Sequence, residues 1–195
     1  EITLKNIQDR FESIRQSNWY VKRYADVALV FLDTNISDLG EAKWAAQKTW
    51  FEETLRSLDE DSSVRGIVVL GHHPPFTNSQ TTGDELHVQK GFFAGIFASK
   101  KTLAYISGHA HGYEHFKVSG KTFLVSGGAG GPRVKLYNGA KARHADLFNS
   151  PAPRPFNYLI VNQEGDMGIR VTVKGFQKDE AGLHILESFL LLFAN

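Results

Sequence analysis

The sequence contains no cysteine among its 195 residues, and neither sign of charge is in marked excess. Without cysteine there is no disulfide framework and no thiolate metal site, so a metal ion must be held by nitrogen and oxygen ligands. Lys and Arg number 22 against 21 Asp and Glu, which leaves a net charge of +1. Since sequence-independent binding to nucleic acid needs a basic surplus, we expect no nucleic-acid partner.

Long apolar runs are also missing. The longest, Phe189–Ala194, is far shorter than the stretch of about 20 residues that spans a bilayer. It predicts a strand or helix packed on the core, and no membrane span. With 42% hydrophobic and 22% charged residues, the composition is typical of a globular domain.

Two histidine clusters each follow an apolar run that predicts a strand. Gly71-His72-His73-Pro74-Pro75 comes after Ile67–Leu70, and Gly108-His109-Ala110-His111 comes after Leu103–Ser107. In open α/β sheets, ligand sites form at the carboxyl ends of strands. Pro74 and Pro75 restrict the backbone directly after His72 and His73, so the two histidine side chains leave the strand in a fixed direction. The clusters therefore predict a metal site, although a Pro-Pro turn with solvent-facing histidines remains an alternative.

The two clusters carry a family resemblance. His72-His73-Pro74-Pro75-Phe76 and His109-Ala110-His111-Gly112-Tyr113-Glu114-His115, each preceded by glycine, resemble the last two signature blocks of the calcineurin-like metallophosphoesterases. The second block is similar to the purple acid phosphatase branch, and the resemblance also takes in Leu32–Asn35 and Ser126–Gly128. It implies a two-metal centre of Fe, Mn or Zn, in divalent or trivalent form. His72 and His109 would bind one metal ion and His111 the other.

The resemblance also implies a function. We expect a metal-dependent phosphoester hydrolase, an acid-phosphatase-like phosphomonoesterase acting on a small-molecule phosphoester. A phosphodiesterase of the same fold and a non-catalytic metal-binding domain are the alternatives. His87, between the two blocks, is either a proton donor to the leaving group or a solvated loop histidine, and His73 and His115 are expected at the substrate. The resemblance favours a secreted or periplasmic protein, while the residues themselves leave the compartment undecided.

Three further blocks of the family do not occur in the sequence. These are D-x-H, a G-D block upstream of the histidines, and G-N-H-[DE]; Gly-Asp occurs only at Gly83-Asp84 and Gly165-Asp166. We therefore expect residues 1–195 to be the carboxyl-terminal portion of a single metallophosphoesterase domain. Its partner would be the amino-terminal part of the same protein, which would supply the remaining ligands.

The apolar pattern predicts a mixed α/β fold. Helical spacing predicts a helix over residues 4 to 16 and a second from Glu41 to Leu58, and strands alternate with helices as far as Ser107. Glycine turns then separate short strands near 122–126, 158–162 and 169–173, which indicates an antiparallel part. Together with the resemblance, this predicts part of a two-sheet β-sandwich flanked by helices. The prolines and the polar, basic composition of residues 132 to 157 predict a long surface loop.

Two smaller features follow the same reasoning. The glycines of Gly127–Gly131 lack the Gly-Lys-Ser/Thr ending of a nucleotide P-loop, so we expect a tight turn near the site. Asp33 and Asn35 could support the site, but capping the turn after their strand is the favoured role.

Overall fold

A computed structural model of the chain describes residues 9–11, 17–148, 150, 153–177 and 182–194. Its strands are β1 (Tyr20–Tyr24), β2 (Val27–Phe31), β3 (Gly66–Leu70), β4 (Thr102–Ser107), β5 (Tyr113–Val118), β6 (Lys121–Ser126), β7 (Phe156–Glu164), β8 (Gly168–Phe176) and β9 (His184–Leu192). Its helices are α1 (Ile36–Leu39), α2 (Glu41–Glu60) and α3 (Leu86–Ala98), with a 3-10 turn at Gly139–Lys141. The helix predicted over residues 4 to 16 lies outside the described residues except at 9–11.

The larger sheet has the strand order β1-β2-β3-β4-β6-β5 within the described residues. Strands β2, β3, β4 and β6 run parallel, while β1 and β5 pair antiparallel at the two edges. Because β3 and β4 are parallel neighbours, their carboxyl ends lie side by side. The two histidine clusters that follow these strands are therefore brought to one edge of the sheet.

Helices α2 and α3 cover one face of this sheet. Phe51 and Leu55 of α2 and Phe92 and Ile96 of α3 are buried with the alternate residues of the central strands, such as Val69. Burying a side chain of this size contributes about 1.5–3 kcal/mol, so these residues account for much of the stability of this layer. None of the helices among the described residues is long and apolar enough to cross a membrane.

The other face packs against a second sheet. Strands β7, β8 and β9 form an antiparallel sheet with β8 in the middle. Ile169, Val171 and Val173 of β8 are buried, and they pack with residues of the first sheet such as Val68 and Leu124. The result is a two-sheet sandwich with helices on one outer face, as the sequence predicted.

Arg143 is one of the residues that fix the long connection between β6 and β7 to the body of the protein. The Arg143 guanidinium donates to the carbonyls of Thr77, Ser79 and Thr82 at 2.9, 2.7 and 3.0 Å. The described part of the predicted surface loop over residues 132–157 has little regular structure, but the loop ends earlier than predicted because β7 begins at Phe156. The bonds of Arg143 hold this connection close to the turn that carries the first histidines.

Candidate metal centre

The first histidine pair lies in a turn between β3 and α3 whose backbone is held by several hydrogen bonds. The Gly71 amide donates to the Ile106 carbonyl at 3.1 Å, and the His72 carbonyl accepts from the Gly108 amide at 3.0 Å. The buried Tyr105 hydroxyl donates to the His73 carbonyl at 3.1 Å. Because buried backbone groups left unpaired are costly, these bonds define one conformation of the turn. They also join the turn to β4 and to the second histidine cluster.

The second cluster follows β4 in a tight and strained turn. His109 has a φ of 61°, in the left-handed region that residues other than glycine seldom occupy. The Ala110 amide donates back to the Gly108 carbonyl at 2.7 Å, and the Gly112 amide to the Ala110 carbonyl at 2.8 Å. Such strain persists only where the surrounding structure imposes it, which is frequent at functional sites.

These two turns bring three histidines together. One ring nitrogen from each of His72, His73 and His109 lies within 4.8 Å of the other two. His72 Nε2 and His109 Nδ1 are 3.2 Å apart. Two imidazole nitrogens at about 2.1 Å from one tetrahedral zinc ion are about 3.4 Å apart, so this spacing fits two ligands of a single cation. The predicted pair from two strand ends is therefore close enough to bind one ion.

The surroundings favour the neutral form of both rings. Although the His72 side chain is exposed, partial desolvation and then repulsion from the neighbouring imidazoles lower its pKa. Desolvation is also the main cause that lowers the pKa of His109, against the opposing effect of the Glu85 carboxylate. Neutral imidazole carries the lone pair that binds a metal ion, so the donor set fits a divalent cation.

His111 lies beside this group without joining it. Its Nδ1 is 3.0 Å from the Pro132 carbonyl, and a carbonyl only accepts, so Nδ1 carries the proton and Nε2 keeps its lone pair. This arrangement, a ring nitrogen donating to a backbone carbonyl, is typical of metal-ligating histidines. A Cβ on Gly131 would lie 2.4 Å from the His111 ring, so a glycine there permits the close approach of the loop. The role of His111 at a second metal stays a prediction.

The remaining predicted histidines lie apart from the three. His87 is exposed in the first turn of α3, and its ring meets the edge of Trp44 at a centroid distance of 6.4 Å. His115 is buried, with Nδ1 3.0 Å from Glu187 Oε1 and its ring stacked on Phe189. The roles of His87 as a proton donor and of His115 at the substrate stay predictions.

Two acidic residues named from the sequence have structural partners. Asp33 Oδ1 accepts from the Asn35 amide at 3.0 Å, which confirms that Asp33 caps the turn after β2. Glu114 is buried and accepts from the Thr77 hydroxyl and from the Asn78 amide. Its carboxylate oxygens thereby hold the segment after the first histidine turn.

Thr34 is the residue at this site that sequence reasoning missed. It follows β2 and is buried, and its hydroxyl contacts both His72 and His73. The sequence signal was its place at a third strand end, next to β3 in the sheet. A threonine after a strand is common in turns, so only the folded arrangement distinguishes it.

A cleft of about 470 Å³ opens beside His72. Leu70, Ile106 and Leu159 contribute apolar walls from both sheets, and Ser107 and Asn157 contribute polar groups. Small-molecule sites have volumes of about 300–1,000 Å³ and are mostly apolar with a few polar groups. The cleft is large enough for a ligand that also contacts His72.

Two solved structures share this fold. GAP50, the anchor in the inner membrane complex of Plasmodium, superposes with a TM-score of 0.67 at 17% identity, over 91% of this chain and 55% of that chain. A dimetal phosphatase from Danio rerio superposes with a TM-score of 0.54 at 12% identity, over 90% of this chain and 60% of that chain. No family model matches the sequence, and no curated protein matches it either.

These likenesses confirm the predicted metallophosphoesterase-like fold, a two-sheet sandwich with flanking helices. The assignment to the purple acid phosphatase-like branch stays a prediction. The chain spans 55% and 60% of the length of the two structures that it resembles.

Proposed function

We propose that this chain supplies the histidine ligands of a metal-dependent phosphoester hydrolase. The observation that carries the proposal is the 3.2 Å separation of His72 Nε2 and His109 Nδ1, two ring nitrogens from different strand ends. The fold shared with a dimetal phosphatase supports it. When bound there, a divalent cation supplies a Lewis acid for a phosphoryl oxygen and lowers the pKa of a water molecule that it holds.

The roles of the histidines within this proposal follow from their positions. His72 and His109 bind one cation, and the free lone pair of His111 Nε2 is suited to a second. His87 lies two residues after Glu85, whose carboxylate acts on the charge of His109, and this neighbourhood supports a role for His87 as the proton donor. There a protonated imidazole donates a proton to the leaving oxygen. The metal is Fe, Mn or Zn, and a small phosphomonoester occupies the cleft beside His72.

We also propose that the amino-terminal part of a longer protein supplies the carboxylate ligands of the second metal. The three-histidine group found among the described residues contains no carboxylate. Three neutral imidazoles bring no negative charge to a bound cation. A two-metal centre needs such charge, because it offsets the repulsion between the two cations. On this proposal, residues 1–195 are the carboxyl-terminal portion of one metallophosphoesterase domain.

Metal analysis combined with esterase assays tests the proposal. Zinc and manganese are titrated into the 195-residue chain and into a longer form of the protein, and both are assayed with p-nitrophenyl phosphate and bis(p-nitrophenyl) phosphate. We expect one bound metal ion and no turnover for the chain, and two metal ions and monoester turnover for the longer form. Preference for the diester would favour the phosphodiesterase alternative.

A matched pair of variants locates the site. His72→Ala should abolish metal binding, whereas His184→Ala removes an exposed imidazole on β9 and should leave it unchanged. Metal binding that survives the first substitution would contradict the assignment of His72.

A non-catalytic metal-binding domain is the second candidate, and the lack of a carboxylate in the described three-histidine group favours it. On this alternative, the longer form also binds a single cation. It then hydrolyses neither ester.

A further inference from the structure

The Thr34 hydroxyl is a point where three hydrogen bonds of the histidine turn meet. Its oxygen lies 3.1 Å from the His72 amide nitrogen, 3.0 Å from the His73 amide nitrogen and 2.9 Å from His73 Nδ1. Thr34 is 3% exposed, so water does not compete for these bonds. The same hydroxyl therefore fixes both the backbone and one ring of the turn.

The number of protons on these atoms determines the tautomer of His73. A hydroxyl has two lone pairs and one proton. The two backbone amides can only donate, so they occupy both lone pairs of Thr34 Oγ1. The single hydroxyl proton remains for His73 Nδ1, which must then accept. In the neutral ring, the imidazole proton is consequently on Nε2.

This tautomer distinguishes His73 from His111. Nδ1 of His73 accepts from Thr34 and Nε2 carries a proton, so neither nitrogen keeps a free lone pair for a metal ion. In His111 the carbonyl of Pro132 imposes the opposite state and leaves a lone pair free. The His73 ring nevertheless lies against the ring of His109, with centroids 4.5 Å apart.

We propose that His73 is a hydrogen-bond donor to a tetrahedral oxyanion at the centre, not a metal ligand, and that Thr34 is the positioning residue that sets its tautomer. The inference rests on the proposed function, because the oxyanion is the phosphoryl group of the substrate, bound to a cation on His72 and His109. A protonated Nε2 suits this role, because a phosphoryl oxygen only accepts.

The tautomer can be observed directly in the metal-free chain. A long-range ¹H–¹⁵N correlation spectrum of the ¹⁵N-labelled protein, recorded near pH 8, distinguishes a ring protonated on Nε2 from one protonated on Nδ1. We expect His73 to be protonated on Nε2. Protonation on Nδ1, or an even mixture, in the wild-type protein would overturn the role of Thr34.

Variants of Thr34 test the cause. Thr34→Val removes the hydroxyl and should shift His73 towards a mixture of tautomers, and Thr34→Ser should restore the wild-type spectrum. Thr49→Val is the matched control, because its hydroxyl donates to the Ala45 carbonyl within α2. A His73 signal that is unchanged in Thr34→Val would overturn the proposal. If that variant fails to fold, the wild-type spectrum alone still tests whether His73 is protonated on Nε2.

Separate titrations with zinc and inorganic phosphate test the role of His73. Calorimetry should show that His73→Ala binds zinc within about twofold of wild type. Phosphate binding to its zinc-loaded form should weaken about tenfold or more, as expected for a lost hydrogen bond to a charged group. His109→Ala should instead lose zinc itself.

The possible failures are distinguishable. Zinc binding lost equally in His73→Ala and His109→Ala would show that His73 is a ligand and would overturn the inference. If the wild-type chain and its longer form bound no zinc, the proposed function would fail, while the metal-free spectrum would still decide the role of Thr34.

Discussion

His109 combines a proposed metal ligand with a strained backbone, so the two properties can be separated by substitution. Its φ of 61° costs a residue other than glycine about 1–2 kcal/mol. Glycine removes that cost, but it also increases the entropy of the unfolded chain, which offsets part of the gain. We expect His109→Gly to raise the free energy of unfolding of the metal-free protein by up to about 1 kcal/mol. It should also weaken zinc binding at least tenfold. Urea denaturation and zinc titration measure the two effects.

Ala25 is the matched control for this prediction. It has a φ of 51° in the turn between β1 and β2, far along the chain from the histidines. Ala25→Gly should give a similar gain in stability and leave zinc affinity unchanged. A His109→Gly variant that is destabilised while Ala25→Gly is stabilised would show that the His109 ring supports the fold.

Glu114 makes stability depend on pH. Burial raises its pKa from 4.5 to about 7, while bonds from Thr77 and Asn78 act in the opposite direction. Because the folded state binds the proton more tightly than the unfolded state, the folded state loses stability as pH rises through this interval. Relative to Glu114→Gln, we expect the wild-type protein to lose about 2–3 kcal/mol of unfolding free energy between pH 5 and pH 8.

Denaturation of both proteins at several pH values measures this difference. Glu53→Gln removes an exposed carboxylate from α2 and shows how much of the change comes from net charge alone. A difference between wild type and Glu114→Gln that is constant with pH would contradict the assignment of the titration to Glu114.

At the scale of elements, the turn after β3 depends on a glycine. A Cβ on Gly71 would lie 2.2 Å from the Tyr105 hydroxyl and 2.8 Å from Thr34 Cγ2, so the turn must shift to accept one. We expect Gly71→Ala to lower the free energy of unfolding by about 2 kcal/mol, in the range of overpacked cores. It should also weaken zinc binding, since the shift displaces His72.

Gly83→Ala is the control in the same connection, because a Cβ there meets nothing within 4 Å. Its free energy of unfolding should change by about 0.5 kcal/mol or less. Equal stability of Gly71→Ala and Gly83→Ala would contradict the packing described for the turn.

The elements that could be predicted are those whose burial follows a simple period. Helix α2 and strand β3 matched their predictions to within two residues, because an apolar stripe and an apolar run identify them. Strands β1 and β5 were not predicted. Strand β1 is a polar edge strand, and β5 buries Glu114 and His115. The hydrogen-bond partners of the buried Glu114 and His115 are 31 or more residues away in sequence, so no local pattern indicates that these polar residues are buried.

The site was predictable to a similar degree. His72 and His109 follow apolar runs, so their meeting at one sheet edge could be inferred before the fold was known. The inclusion of His73 and the position of Thr34 depend on how the turns close, and sequence spacing does not determine that. The separation of His115 from the group depends on its pairing with Glu187 in the second sheet.

At the scale of the whole molecule, the centre exists only when the sandwich is folded. His72 and His109 follow β3 and β4, which are the central strands of the larger sheet, and their separation in sequence is 37 residues. The unfolded chain does not hold these rings together, so we expect zinc to bind the folded state more tightly. A ligand that binds only the folded state at 100 times its Kd stabilises it by about 2.7 kcal/mol.

We therefore expect zinc to raise the free energy of unfolding by about this amount at that concentration, and a chelator to reverse the effect. Thermal denaturation at a series of zinc concentrations measures it. The increase should disappear in His72→Ala and persist in His184→Ala, whose imidazole lies on β9 in the other sheet. Because β3 and β4 pack against both helices and the second sheet, zinc should raise the transition of the whole molecule as one cooperative step. Zinc that stabilised both variants equally would place its binding outside the three-histidine group.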